Sequence, residues 1–221
     1  MGAGFLVPLG ITLKVALTAT LCAFVLGVGL AGLMSRRGFV GRDLLDAVCA
    51  MPLVLPPTVI GYYLLVVVGR KGIVGAWLLA VFGVSLTFTW QGAALASAMV
   101  GFPLVFTSAR AAFAGVDENL ENAARTMGAG ELAVFFRISL PLAWRGVAAG
   151  TLLAFARAMG EFGATLMVAG NLPGRTQTLS LAIYEAVQAG RDGDAAALVL
   201  LTTGVSLAVL FGAGKLARKK Y

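Results

Sequence analysis

Long charge-free stretches alternate with short polar segments along the chain, and their lengths match the thickness of a membrane. A helix needs about 20 consecutive apolar residues to cross the hydrocarbon core of a bilayer. Five stretches meet or approach this requirement: Val15–Ser35, Ala47–Gly69, Gly72–Ala109, Gly146–Asn171 (which contains two charges) and Ala195–Gly214. We therefore predict an all-α integral membrane protein with about five transmembrane helices.

The amino-acid composition agrees with this prediction. Hydrophobic residues make up 59% of the 221 residues and charged residues only 12%, which excludes an ordinary soluble domain. The chain starts without a basic region, and no small-residue cleavage site ends the first stretch, so we expect that stretch to be retained. We predict a single transmembrane domain over residues 1–221, surrounded by the lipid bilayer.

Basic residues are divided unevenly between the two sides that five helices would connect. One side would receive Arg36, Arg37, Arg42, Arg110, Arg125, Arg137, Arg145, Lys215, Arg218, Lys219 and Lys220. The other side would receive only Lys14, Arg70, Lys71, Arg175 and Arg191. Because basic residues concentrate in cytoplasmic loops, we predict the N-terminus outside and the C-terminus in the cytoplasm. The net charge of +7 thus indicates membrane orientation and not nucleic-acid binding.

The stretch Gly72–Ala109 is long enough for two helices, and the charge distribution decides between one and two. The basic first loop and the basic tail lie on the same side only if an even number of spans separates them. We therefore assign Ile73–Gly83, with Trp77 and Phe82, to a short interfacial helix outside, and Trp90–Ala109 to the third span.

Several kinds of site are excluded by the residues available. Two scattered cysteines, Cys22 and Cys49, without any histidine cannot build a typical zinc site or a histidine-based catalytic triad. Gly212–Lys215 faintly resembles a phosphate-binding loop, but Val209 and Leu216 stand where that motif requires Gly and Ser or Thr. We expect no catalytic residues, metal or cofactor on this chain, so any ATP would bind a partner subunit.

Two prolines interrupt the second stretch. Pro56 and Pro57 remove backbone donors and should break or bend the helix near its cytoplasmic end. Carbonyl groups freed within a bilayer need protein or water partners, so this segment is expected to face a neighbouring helix or a cavity. A simple helix that begins at a proline is the alternative.

The fourth stretch contains a candidate ion pair. Arg157 and Glu161 are four residues apart and would share one face of a continuous membrane helix. A charge near the helix centre costs about 2.5–3.5 kcal/mol on insertion, so both side chains should face the bundle interior or a wet cavity. Two interpretations remain open: a gate or pathway wall, to which Thr165, Pro56 and Pro57 would also belong, and a structural ion pair.

The polar segment 110–145, which we call the elbow, is predicted to form two short helices joined by a turn. Acidic residues including Glu121 lie at the start of the first helix, where the macrodipole favours them, and Arg125 follows at pairing distance. Gly128 can end that helix. A second helical run, Glu131–Ile138, then meets Pro141, which should end or kink it.

The elbow resembles the EAA loop of bacterial ABC importer permeases, in which three residues separate EAA from Gly and nine separate Gly from Ile-x-Leu-Pro. The matching residues are Ala123, Ala124, Gly128, Ile138, Leu140 and Pro141. Asn122 stands where the pattern has Glu, while the acidic Glu121 is one position early. The resemblance implies that this loop couples the chain to an ATPase.

A further resemblance, to the permease subunit of molybdate ABC importers, covers nearly the whole chain. It is carried by the elbow, by Leu53–Pro57, by the Gly-Glu-Phe-Gly-Ala-Thr segment 160–165 and by Asn171–Leu179, with its Pro-Gly-x-Thr-x-Thr loop. It implies a type I importer permease in a prokaryotic inner membrane, which acts as a homodimer with two cytoplasmic ATPase subunits and an external molybdate-binding protein.

The sequence therefore predicts a non-enzymatic subunit that moves molybdate or tungstate inward by alternating access. A sulfate or thiosulfate permease is the nearest alternative, because sulfate permeases share a related Gly-Glu-aromatic-Gly segment. A membrane-embedded enzyme acting on lipid-linked substrates, and a channel or carrier that works without ATP, are alternatives from other classes.

Overall fold

The fold consists of helices separated by short turns. The structure, a computed structural model, describes residues 3–35 and 40–217, and side chains within 5–35 and 40–212. The helices are α1 (Ala3–Ser35), α2 (Arg42–Ala50), α3 (Pro57–Val68), α4 (Ile73–Phe82), α5 (Trp90–Ala114), α6 (Glu118–Thr126), α7 (Glu131–Val134), α8 (Leu140–Met159), α9 (Gly163–Ala169), α10 (Leu179–Gln188) and α11 (Asp192–Ala217). A 3₁₀ turn, Met51–Leu53, follows α2, and a π-helical turn, Phe135–Ser139, joins α7 to α8.

The predicted number of spans is confirmed. Among the described residues, four helical segments are long and apolar enough to cross a membrane: Phe5–Ser35, Trp90–Ala114, Glu131–Met159 and Asp192–Gly212. The segments Arg42–Leu53 and Pro57–Val68 form a fifth candidate that is bent by 110°. The bend lies where Pro56 and Pro57 were predicted to break the helix, and α4 matches the predicted short apolar helix. The first helix begins well before Val15 and carries Lys14 on an exposed face.

Helix α5 lies at the centre of the bundle, between α1 and α8. Small residues allow these helices to approach closely, as in many membrane bundles. A Cβ atom added at Gly150 in α8 would lie 2.4 Å from Cβ of Ser108 in α5, and one added at Gly27 in α1 would lie 3.1 Å from Val105. The α1–α5–α8 packing is therefore the rigid frame that carries the elbow at one end.

Two boundary predictions are wrong. The second elbow helix was expected to end or kink at Pro141. It does not end there, because Pro141 lies in the first turn of α8, where a missing N–H is tolerated. The wider π turn precedes it, with the amide of Leu140 bonded to the carbonyl of Phe135. The fourth stretch is also not one continuous helix: α8 ends at Met159, and the helix resumes only at Gly163. Glycines at 160 and 163 favour this interruption, since glycine weakens a helix.

The segment predicted as a loop after Asn171 contains an additional helix, α10. Its residues Leu179, Ala182 and Ala186 are buried at helical spacing. Its first amide is anchored to α1, because the N–H of Leu179 donates to Oγ1 of Thr12 at 2.8 Å. The helix was missed because its ten residues are too few for a membrane span.

Candidate functional site

The first elbow helix, α6, begins as the sequence predicts. Asp117 is its N-cap, and its carboxylate accepts a hydrogen bond from the amide of Asn119 at 2.9 Å. Glu118 and Glu121 lie in the first turn, where negative charge interacts favourably with the helix dipole.

The end of α6 depends on Gly128. This residue has a φ of 85°, the left-handed conformation that its place after a helix predicts. The amide of Gly128 donates to the carbonyl of Arg125, and the amide of Ala129 donates to that of Ala124, both at 3.0 Å. This pair of bonds is a Schellman motif. A Cβ at Gly128 would meet nothing within 4 Å, so backbone conformation and not space within the chain requires glycine here.

A polar network fixes α6 against the start of the following helix. The guanidinium of Arg125 donates to Glu121 at 3.2 Å, to Asn122 at 2.8 Å and to Glu131 at 2.8 Å. The hydroxyl of Ser139, in the π turn, donates to Glu121. The hydrogen bond with Glu131 is the main cause that raises the pKa of Arg125, so this residue stays cationic at any physiological pH.

The network includes Asn122, the residue that departs from the pattern. The amide oxygen of Asn122 holds Arg125, while Glu121 supplies the carboxylate that bridges Arg125 and Ser139. The pairing of Glu121 with Arg125 was predicted from their spacing. The roles of Glu131 and Ser139 were missed, because these contacts join separate turns of the elbow.

The elbow exposes apolar side chains among its polar ones. Leu120, Met127 and Leu132 are 49%, 87% and 76% exposed, and Ala123 is also exposed. Three other residues of the matched pattern lie at the membrane side of the elbow: Ile138 and Leu140 are partly buried, and Leu140 packs against the core with Phe113 and Val147. Pro141 is exposed. This chain therefore leaves apolar side chains on α6 and α7 uncovered, next to exposed polar residues such as Glu118 and Asn122.

The two broken helices meet inside the bundle. A Cβ atom at Gly163 would lie 3.3 Å from Cβ of Pro57 and 3.3 Å from Thr58, and one at Gly61 would lie 2.7 Å from Cβ of Met167. The break after Pro56 is thus packed against the break between α8 and α9. Pro56 itself is exposed, and Pro57 is partly buried.

Arg157 and Glu161 form an ion pair, but Glu161 does not lie within a helix as predicted. Nη1 of Arg157 is 2.7 Å from Oε2 of Glu161; the Glu161 side chain is 1% exposed and the Arg157 side chain 36%. The other carboxylate oxygen accepts the amide of Ala164 at 2.9 Å, which caps α9. At the break between α8 and α9, Glu161 therefore both pairs with Arg157 and caps the start of α9.

Thr165, the remaining residue of the predicted pathway group, is buried in the first turn of α9. Its hydroxyl lies 3.5 Å from the hydroxyl of Ser97 on α5. Ser97 is a further polar group at this site that sequence reasoning missed, because only the fold brings α5 beside α9. No group of acidic, Cys or His side chains that could hold a metal occurs among the described residues.

The Pro-Gly loop lies at the opposite end of the bundle from the elbow. The hydroxyl of Thr176 accepts the amide of Leu172 at 3.0 Å and donates to the carbonyl of Gly170 at 3.2 Å. The carboxylate of Glu185 on α10 accepts hydrogen bonds from the side-chain amides of Asn171 and Gln177. Thr176 therefore fixes the turn, and Asn171 and Gln177 attach the loop to α10.

Known proteins similar to this chain are membrane transport subunits. The family model described as "Binding-protein-dependent transport system inner membrane component" matches residues 23–220. The molybdenum transport system permease protein ModB of Escherichia coli K12 is 46% identical over 209 residues, 94% of this chain and 91% of that protein. The ModB of Haemophilus influenzae is 45% identical over 200 residues, 90% of this chain and 87% of that protein.

Solved structures with this fold are also known. The inward-facing methionine ABC transporter MetNI matches with a TM-score of 0.70 at 16% identity, over 94% of this chain and 92% of that one. A bacterial alginate ABC transporter, solved with an alginate pentasaccharide-bound periplasmic protein, matches with a TM-score of 0.74 at 17% identity. That match covers 99% of this chain and 80% of the other. At these identities the likeness concerns the fold alone.

Proposed function

This chain belongs to the family of binding-protein-dependent transport system inner membrane components, and we propose that it moves molybdate or tungstate into the cytoplasm by alternating access. Members of this family are multi-pass inner-membrane permeases and not enzymes, and ATP is used by a partner subunit. The observation that carries the substrate assignment is the 46% identity, over 94% of this chain, to a protein named for molybdenum transport. Neither the sulfate permease nor the lipid-directed enzyme has comparable support.

The proposed assembly contains two copies of this chain, two cytoplasmic ATPase subunits and an external binding protein. Five helices can hardly surround a solvated path alone, so the path is expected to run between two copies, each a single permease domain over residues 1–221. The broken helices around Glu161 would line or gate this path, because irregular backbone within a membrane is tolerated where it faces protein or a cavity. Arg157, Glu161, Thr165, Pro56 and Pro57 are the proposed gate residues.

The elbow is the proposed contact with the ATPase. Its exposed apolar residues Leu120, Met127 and Leu132 form the kind of helical surface that seats in a groove of a partner. The network around Arg125 would make the elbow rigid, so that motion of the ATPase moves α8 as a unit. The coupling residues are Glu121, Asn122, Ala123, Ala124, Gly128, Ile138, Leu140 and Pro141. The partly buried members would hold the shape of the elbow, and the exposed members would make contact with the ATPase.

Membrane orientation can be tested with reporter fusions. We predict that a reporter inserted near Gly174 reports the outside and that one fused after Lys220 reports the cytoplasm, because basic residues concentrate at the elbow end. Arg36, Arg37, Arg218, Lys219 and Lys220, which contribute to this count, lie outside the described residues, as does the side chain of Lys215. Opposite signals at both sites would reverse the orientation and exclude the elbow from the ATPase side.

The substrate assignment can be tested by competition. The permease, its ATPase and its binding protein are reconstituted in liposomes, and uptake of labelled molybdate is measured. We expect a large excess of unlabelled tungstate to suppress uptake and the same excess of sulfate to leave most of it intact. Equal suppression by sulfate would support a general oxyanion permease and contradict the assignment.

A further inference from the structure

A cavity of about 320 Å³ lies at the start of α5, at the end of the bundle opposite the elbow. It is bounded by α1, by the segment before α5 and by the Pro-Gly loop, and its polar or charged lining residues are Lys14, Thr89, Gln91 and Arg175. One water takes about 30 Å³ of liquid volume, so the cavity has room for a small anion and part of its hydration shell.

Two positive charges face this cavity without a carboxylate partner. In the part of the chain that the structure describes, neither Lys14 nor Arg175 forms an ion pair. Both side chains are exposed, and an anion in the cavity would be attracted by two positive charges of the same sign. The arrangement is therefore suited to a mobile negative ligand.

The ammonium of Lys14 and the backbone of Arg175 are held in place by their surroundings. Nζ of Lys14 lies 3.7 Å from the ring centroid of Trp90, a cation–π contact that keeps the ammonium beside the cavity. The backbone of Arg175 is fixed in the Pro-Gly loop, where its amide donates to the carbonyl of Leu172 at 3.0 Å and Gly174 has a φ of 73°. The ammonium of Lys14 and the backbone that carries Arg175 are therefore positioned before a ligand binds.

The start of α5 adds to the positive potential. Thr89 is its N-cap and accepts the amide of Gly92 at 3.2 Å, so the positive end of a 25-residue helix dipole points to this cavity. The preceding residue, Phe88, has a φ of 59°, which is a strained conformation for an aromatic residue. Its amide donates a hydrogen bond to the carbonyl of Val168 at 3.1 Å. Strained backbone of this kind is often found at functional sites.

A neighbouring cavity provides a contrast. It shares Phe88 and contains Arg70 and Lys71, but its other lining residues are Leu65, Val66, two glycines and Thr87. It also contains a hydroxyl, that of Thr87, and the start of α4 at Gly72, but it lacks a side-chain amide such as that of Gln91.

We propose that the cavity lined by Lys14, Thr89, Gln91 and Arg175 is an oxyanion-binding site that receives the transported anion when the external binding protein releases it. The proposal rests on the proposed function and on the orientation with the N-terminus outside. Its ligand is a free tetrahedral oxyanion. An anionic lipid headgroup offers the same phosphate-like oxygens and is the alternative source that the experiment must separate.

The test measures equilibrium binding of labelled molybdate to the permease–ATPase complex in phosphatidylcholine vesicles, without the binding protein. We expect weak, saturable, salt-sensitive binding, and about tenfold weaker binding for K14Q and for R175Q, since a charge-assisted hydrogen bond contributes about 1.5–3 kcal/mol. K14R, which keeps the charge, should bind more tightly than K14Q. The matched control R70Q/K71Q removes two charges from the neighbouring cavity and should bind as the wild type does.

Four results would overturn the proposal: wild-type binding by K14Q and R175Q, an equal loss in R70Q/K71Q, no saturable binding by the wild type, or displacement of molybdate by phosphatidylglycerol added to the vesicles. An equal loss in R70Q/K71Q would indicate that molybdate responds to the general positive potential of this surface. Displacement by phosphatidylglycerol would indicate a lipid-binding site. The proposed function is tested separately, by measuring molybdate uptake by the full complex with its binding protein. If the wild type takes up molybdate and any of these four results is found, only the proposed oxyanion site in the cavity is contradicted.

Discussion

Gly128→Val leaves the membrane spans inserted and reduces molybdate uptake at least about tenfold. The left-handed conformation costs a residue other than glycine roughly 1–2 kcal/mol, which at 1.4 kcal/mol per decade is a population change of about five- to thirtyfold. The cost is higher for a β-branched residue such as valine. The φ of 85° at Gly128 supports two hydrogen bonds that end α6. Losing that conformation lengthens or frays α6 and displaces the apolar surface that we assign to the ATPase.

The chain provides a matched control two residues away. Gly130 has a φ of −69° and a ψ of 159°, an extended conformation that valine readily adopts, and a Cβ there also meets nothing within 4 Å. Gly130→Val should therefore retain uptake. Gly128→Asn should be less harmful than Gly128→Val, because asparagine tolerates left-handed geometry.

The measurements are uptake, membrane insertion, and co-purification of the ATPase in detergent. Loss of uptake together with loss of co-purification, in Gly128→Val but not in Gly130→Val, is the expected pattern. If Gly128→Val binds its ATPase at wild-type yield and transports normally, the coupling role of the elbow is wrong.

Arg157→Gln destabilises the protein more than Glu161→Gln does. Removing one member of a buried ion pair can cost about 3–5 kcal/mol, because the remaining charge is left without a partner. The Glu161 side chain is 1% exposed and cannot reach water, whereas Arg157, at 36%, can. The glutamine in Glu161→Gln can also keep the hydrogen bond from the amide of Ala164 that caps α9. Thermal unfolding of the complex measures the difference.

The double variant Arg157→Gln/Glu161→Gln separates the two interpretations of this pair. Stability should recover, since no buried charge remains unpaired. If the pair serves as a gate, uptake stays impaired despite that recovery, and this is the result we expect. Recovery of uptake in parallel with stability would assign the pair a structural role only.

The sequence predicted those features that depend on local chemistry. Apolar length predicted the spans, two prolines predicted the bend before α3, and a helix-ending glycine predicted the left-handed conformation at Gly128. Features that depend on the three-dimensional arrangement were missed. Hydropathy continues unchanged through the break at Glu161, and the contact of Ser139 with Glu121 joins residues 18 positions apart.

The outer cavity illustrates the same limit. Lys14 and Arg175 are far apart in the sequence, and each was only counted among the basic residues of one side. The longer α1 and the folded Pro-Gly loop bring them to one cavity at the start of α5. Counting basic residues indicates on which side of the membrane Lys14 and Arg175 lie. Only the packing of the helices shows that both line the same cavity.

ATP-driven uptake tests the central claim most directly. The permease is reconstituted in liposomes with its ATPase, ATP is enclosed on the ATPase side, and binding protein loaded with labelled molybdate is added on the other side. We predict accumulation of molybdate above the external free concentration with ATP, and none with ADP or without the ATPase. Accumulation that needs neither ATP nor the ATPase, or ATP hydrolysis stimulated by the loaded binding protein without any uptake, would contradict the account.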